Sequence, residues 1–269
     1  MKRLILAGLL AIAAGAAGLM AQTPPAAPAK GAAKGPAPKS KAEADALNAL
    51  FSAAQAGNND AVIKAADDLL TKFADTDFKE SALYMEADAY NQKRDSTKAQ
   101  IFAEQALQIN PKSYQASIML AELIVQGTRE NDLDREEKLA KSAKYAGDSI
   151  EFVKDAVKPN PQVTDAQWDD FKKSVVARAH SAIGLAALVR KKYDVAAAEF
   201  KTAVDNDPQG AYMVREASAL QSAGKNDEAI ALCDKIAADP QAHPQIKQVA
   251  QQVRAAAVKA GGKAPGGAQ

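Results

Sequence analysis

The residues able to carry covalent or metal chemistry are few and scattered. The chain has two histidines, His180 and His243, and one cysteine, Cys233. A lone cysteine closes no internal disulfide, and two distant histidines make a poor start for a metal centre. His180 lies within a helix-forming stretch and reads as a packed or half-buried imidazole. Cys233 reads as a small buried apolar residue. The acid clusters Asp67-Asp68, Asp132 to Glu137 and Asp169-Asp170 suit solvated helix faces and caps better than a carboxylate pair for acid–base work. None of the patterns G-x-x-x-x-G-K-[ST], G-x-G-x-x-G or G-x-S-x-G occurs, so neither a phosphate loop nor a hydrolase elbow has support. No catalytic, cofactor-binding or metal-ligating residue is assigned, no cofactor is expected, and the chain reads as a non-enzyme.

What remains is the scaffold. The 269 residues are 47% hydrophobic, 25% charged and 5% aromatic, the composition of a folded protein of one or two domains. The formal net charge is +1, but it is unevenly spread. Eight basic residues lie outside positions 42–258 and every acidic residue lies inside, which leaves the body at about −7. A mildly acidic body with basic ends argues against nucleic acid as a partner.

Residues 1–21 read as an address. Met1-Lys2-Arg3 precedes an uncharged run of Leu, Ile, Ala and Gly from Leu4 to Met20, and Ala21 offers a small residue for cleavage. This is the layout of a secretory signal peptide. An uncleaved membrane anchor is the alternative, because the run approaches the ~20 residues that a spanning helix needs. No cysteine lies nearby for lipid attachment. Export across the inner membrane to a bacterial periplasm is the expectation, with no membrane span once the signal is cut. Residues 22–40 hold five of the 12 prolines beside Ala, Gly and Lys and read as a semi-extended linker. Residues 260–269 read as a tail without periodicity.

Between them, residues 41–259 form the folded domain. Its prolines and glycines fall mostly between apolar-periodic stretches rich in Ala, Leu, Lys, Glu and Gln. Ser40-Lys41-Ala42-Glu43 and Thr164-Asp165-Ala166-Gln167 are capping-box sequences. The periodicity predicts eleven helices, over 44–57, 60–74, 79–93, 96–109, 112–127, 135–157, 165–191, 194–206, 210–223, 226–238 and 244–259. Short turns join them, so neighbours should pack antiparallel. No run of alternating β-branched residues is long enough for a strand, and the fold class is all-α.

Two 34-residue windows repeat one pattern. Residues 177–210 place Ile183-Gly184, Tyr193, Ala196, Phe200, Ala203 and Pro208 at fixed spacing, and residues 80–113 do the same with Ala87, Tyr90, Ala99, Ala106-Leu107 and Pro111. Small residues let two helices approach, large ones fill the gap to the next pair, and the proline stops the second helix. Residues 44–78 and 210–240 carry looser copies, and 112–160 departs after its first helix, with a longer turn from Gly127 to Asp134. These windows resemble the tetratricopeptide repeat family. The resemblance implies a right-handed α-solenoid of about five helix pairs, closed by the polar helix after His243-Pro244 as a cap.

The family binds partner peptides or helices in a groove lined by the first helix of each pair. Carried over by position, groove-facing residues are Tyr84, Asp88, Asn91 and Gln92 in the second unit. In the third they are Gln115, Ile118, Glu122 and Gln126, and in the fourth Arg178, Ser181 and Leu185. The Lys and Asn residues with which chaperone-binding members clamp a terminal carboxylate are absent from these positions, so that activity is not carried over. Leu185 could instead be covered by the long helix of the irregular unit. The resemblance thus implies a non-catalytic scaffold with a protein partner in the cell envelope. The alternative is a structural or coordinating subunit of an envelope machine, for outer-membrane assembly or cell-wall constriction. An accessory subunit of an enzyme is a third possibility that no sequence feature separates from the first.

Overall fold

The structure, a computed structural model, describes residues 36–158 and 162–263. The expected signal peptide, most of the expected 22–40 linker and the end of the expected tail lie outside the described residues. Eleven α-helices and no strand occur among the described residues: α1 (Lys41–Gln55), α2 (Asn59–Lys72), α3 (Lys79–Gln92), α4 (Ser96–Ile109), α5 (Tyr114–Gly127), α6 (Arg135–Lys154), α7 (Asp165–Val189), α8 (Tyr193–Asn206), α9 (Gly210–Ser222), α10 (Asn226–Ala238) and α11 (Pro244–Lys259). All-α helix pairs followed by a last single helix are therefore the observed architecture. The helices group into two compact units, one holding α1 to α4 and the other α5 to α11.

In the first unit each helix packs on the next. Helix α1 starts three residues before its predicted bound, because Ser40 is its N-cap and accepts from the Glu43 N–H at 3.1 Å. The reciprocal half of a capping box is replaced. Glu43 is buried and accepts instead from the Lys39 N–H and the Thr76 hydroxyl, each at 2.6 Å. Lys39 also pairs with Asp75 and Asp77, so the last residues of the linker are fastened to the domain. Leu47 and Leu50 of α1, Val62, Ala66 and Leu69 of α2, and Phe78, Ala82 and Ala89 make the core. Burying each of the larger side chains contributes about 2 kcal/mol.

In the second unit α5 packs on α6 and α7, and the remaining helices continue the chain of contacts to α11. Helix α5 buries eight residues, from Ala116 to Val125, because α6 and α7 cover it from two sides. Helices α6 and α7 are long, at 20 and 25 residues. Thr164 caps α7 with a full capping box: its hydroxyl accepts from the Gln167 N–H at 3.2 Å, and Gln167 returns the bond at 3.0 Å. The α7–α8 contact is set by size. Phe200 is fully buried, and a Cβ built on Gly184 would lie 2.8 Å from its ring, so only glycine fits. Helix α11 buries only Ala250 and Ala257 and leaves much of its surface polar, as an end cap should. Gly261 to Lys263 fold back on α10 rather than trailing away: the Lys263 N–H donates to Asp227 at 2.6 Å.

One local device recurs in both units. The turns after α1, α3, α7 and α9 place Gly57, Arg94, Lys191 and Gly224 at φ between 58° and 79°. The following N–H, from Asn58, Asp95, Lys192 or Lys225, bonds back five residues to the helix at 2.9 to 3.1 Å. These are left-handed helix ends that glycine suits, yet Arg and Lys fill two of them. The α5–α6 turn is built otherwise, with the Thr128 hydroxyl donating to the Ile124 carbonyl at 2.6 Å.

Candidate functional site

The scattered reactive residues have structural partners. His180 is half-buried on α7, with Nδ1 2.7 Å from a Glu199 oxygen on α8. His243 caps α11, its Nδ1 accepting from the Gln245 N–H at 3.3 Å. Cys233 is buried among Val214, Ala217 and Ile236, and burial together with the Asp234 charge pushes its thiol pKa up. A protonated, shielded thiol is a poor nucleophile. The acid clusters are solvated pairs. Asp68 holds Lys64 and Lys72, Asp132 and Asp134 hold Lys138, and Glu136 holds Arg190 at 2.8 Å. Among the described residues no three His, Cys, Asp or Glu side chains are grouped to hold a metal.

Trp168 packs at the start of α7. It is buried, stacks on Phe171 at 5.1 Å between centroids, and donates its indole N–H to the Ala156 carbonyl at 3.3 Å. The long start of α7 is thereby fixed to the end of α6.

The expected groove residues separate by unit. In the first unit Tyr84 and Asp88 are half-buried on α3, while Asn91 and Gln92 are exposed. Gln92 donates to Asp88 at 2.6 Å, so two of the four satisfy each other. In the second unit Glu122, Gln126, Arg178, Ser181 and Leu185 converge on one open cavity of about 330 Å³ between α5, α7 and α9. Gln115 lies two turns earlier on α5 and is half-buried. Ile118 is corrected: it is 1% exposed and packs against Ala121, Val125, Leu139 and Ala182, so no ligand reaches it. Leu185 is partly covered by its neighbours but still lines the cavity.

Charge organises this cavity. Arg178 donates two bonds to Glu122, Nε to Oε1 at 2.8 Å and Nη2 to Oε2 at 2.5 Å. The fork geometry of this half-exposed pair ties α7 to α5 and cancels both charges. Arg215 of α9 reaches α7 one turn further along the same face, donating from Nη1 to the Ser181 hydroxyl at 2.7 Å. Its guanidinium lies 6.0 Å from the Tyr212 ring centroid. Tyr212 is buried, and burial together with the Glu122 charge pushes its pKa up to about 12. It stays a neutral hydroxyl at any physiological pH.

Tyr212 and Arg215 also line the cavity and lie beyond the expected groove positions, which stop at α7. They follow Arg178 and Ser181 by 34 residues, the length of the repeat windows, so carrying those positions one unit further reaches both.

A second cavity, also of about 330 Å³, lies by the irregular α5–α6 turn. It is bordered by side chains that pair with one another: Lys191 with Glu130 at 2.5 Å and Arg190 with Glu136 at 2.8 Å, while Arg135 donates to the Glu130 carbonyl. In the first unit Glu86 of α3 is fully buried with neither carboxyl oxygen hydrogen-bonded. Burial, with a smaller push from Asp67, raises its pKa to about 8.

Comparison with known proteins agrees with this architecture. Family models described as tetratricopeptide repeat match residues 80–113, 167–211 and 181–243. No curated protein sequence matches the chain. Among solved structures, a thermophilic TPR protein from Thermus thermophilus superposes with a TM-score of 0.52 at 18% identity, covering 80% of this chain and 99% of its own. MamA MSR-1 C2 follows with a TM-score of 0.48 at 15% identity, covering 79% and 96%. A tetratricopeptide repeat protein from Parabacteroides merdae gives 0.43 at 14% identity, covering 82% and 91%.

Proposed function

The chain belongs to the tetratricopeptide repeat family, and on that footing we propose that it is a non-catalytic scaffold that holds a segment of a partner protein in the groove of its second unit. The observation that carries this reading is the convergence of Glu122, Gln126, Arg178, Ser181 and Leu185 with Arg215 on one open cavity. Polar groups line its walls beside the apolar Leu185, which suits a peptide that must be both held and oriented. Among the described residues that line it there is no histidine, cysteine or lysine to act on such a segment. The partner belongs to the cell envelope and the protein acts in the periplasm. Support for the location is the basic, then apolar, then small-residue order of residues 1–21. Among the described residues no helix is long and apolar enough to cross a membrane.

The test is in-cell crosslinking of the tagged protein, comparing wild type with Gln126→Trp. Gln126 is exposed at the cavity edge, so the indole blocks entry without disturbing the core. The same envelope proteins captured by wild type should be lost by the variant. Equal capture by both would remove the groove from the account. Fusion of alkaline phosphatase after residue 40 tests location independently: activity is expected, and its absence would contradict export.

A further inference from the structure

We propose that Arg215 sets the specificity of this groove, and that the occupant is an extended segment of a partner protein that presents one Asp or Glu side chain to it. This rests on the scaffold reading above. It starts from which charges in the cavity are already matched. Arg178 and Glu122 face each other through two hydrogen bonds and neutralise each other. Arg215 is held differently. One of its five N–H groups donates to the Ser181 hydroxyl, and the Tyr212 ring flanks it, but no carboxylate among the described residues pairs with it. A serine hydroxyl orients a guanidinium without cancelling its charge. Ser181 is itself buried, so this orientation is fixed from within α7.

The cavity therefore presents one unmatched positive charge, half-buried and aimed, with its remaining donors open to a ligand. A single carboxylate complements it, and a charge-assisted bond there is stronger than a neutral one. A second acid would meet Glu122. A basic segment, including the Lys30 and Lys34 region of this same chain, would find Glu122 already engaged and Arg215 repelling it. A side chain is favoured over a chain terminus because the lining is not confined to Arg215: it also takes in Gln209 before α9, Leu185 of α7 and Gln126 of α5. A segment can run through and present its acid midway.

The experiment selects binders to the full-length protein from a phage library of random dodecapeptides fused through their C-termini, so that no free terminal carboxylate is offered. Selected sequences are then synthesised with amidated ends and titrated by fluorescence anisotropy. The expected result is one shared Asp or Glu. Changing it to Asn or Gln, or changing Arg215→Gln, should each weaken binding roughly 10- to 100-fold, and both together no further than one alone. Arg215→Gln keeps an amide donor for Ser181, and its melting temperature checks that the fold is intact. Acidic peptides that bind Arg215→Gln as tightly as wild type would overturn the assignment. So would selected peptides without an acid that Gln126→Trp still blocks, although the groove reading would survive. Peptides indifferent to Gln126→Trp, or no selected peptide at all, would overturn both.

Discussion

Glu86→Gln should make the protein more stable at neutral pH by an amount that grows as pH rises. The carboxyl of Glu86 is fully buried on α3 and neither oxygen has a hydrogen-bond partner. Asp67 adds like charge and Lys98 offsets it only in part. Folding therefore raises the pKa from 4.5 to about 8. For an acid shifted upward, the folded state binds a proton that the unfolded state has lost between those two values. Stability is then greatest below pH 4.5, falls by about 1.4 kcal/mol per pH unit up to pH 8, and is level beyond. At pH 7 the accumulated loss is about 3 kcal/mol, a sizeable part of the total for an ordinary domain. Glutamine has nearly the same shape but does not titrate, so it keeps any fixed burial penalty and removes the pH-dependent one. The assay is urea unfolding followed by circular dichroism at half-unit steps from pH 4.5 to 8.5, with amide hydrogen exchange of residues 79–92 to localise the effect. The difference between variant and wild type should widen by about 3 kcal/mol from pH 4.5 to pH 7. A difference that stays constant across this range would refute the reasoning, because the carboxyl would then be ionising as freely in the folded chain as in the unfolded one.

Other substitutions test the packing and the turns. Gly184→Ala should destabilise the protein by about 1–3 kcal/mol in chemical denaturation, since its Cβ would fall 2.8 Å from the Phe200 ring, and an unchanged midpoint would contradict the close approach of α7 and α8. Arg94→Gly should stabilise by roughly 0.5–1 kcal/mol, because Arg94 holds φ 64° with an exposed side chain; thermal melting reads the gain. Thr164→Ala should lose about 1 kcal/mol with the capping box, seen as faster hydrogen exchange in the first turn of α7.

Much of the helical order is legible in the sequence because apolar periodicity and breakers agree. Pro208 and Pro244 bracket α9 and α10, and Gly57 and Gly224 mark turns whose φ only glycine adopts freely. The start of α1 is legible in Ser40, whose capping role outweighs the weak periodicity that follows. Five of the expected positions line one cavity, because a repeat offset fixes which face of α5 and α7 is presented. The offset fails at Ile118, where α6 and α7 cover a face that a regular unit leaves open. One further 34-residue step, from Arg178 and Ser181, reaches Tyr212 and Arg215, which the expected positions leave out. Spacing does place Glu86 on the face that α3 buries, three residues after Leu83 and three before Ala89, but its residue type points to water, and the packing of α3 between α2 and α4 encloses it without a partner. Arg94 and Lys191 hide their turns for a similar reason, since neither residue type signals a positive φ.

The most direct measurement is photocrosslinking in living cells from single engineered positions. A photoreactive residue placed at Gln126 or Gln209 lines the groove, whereas one at Val195 sits on the exposed side of α8. The scaffold account predicts one shared partner protein crosslinked from both groove positions and not from Val195. Crosslinks from Val195 alone, or the same yield from all three, would contradict it.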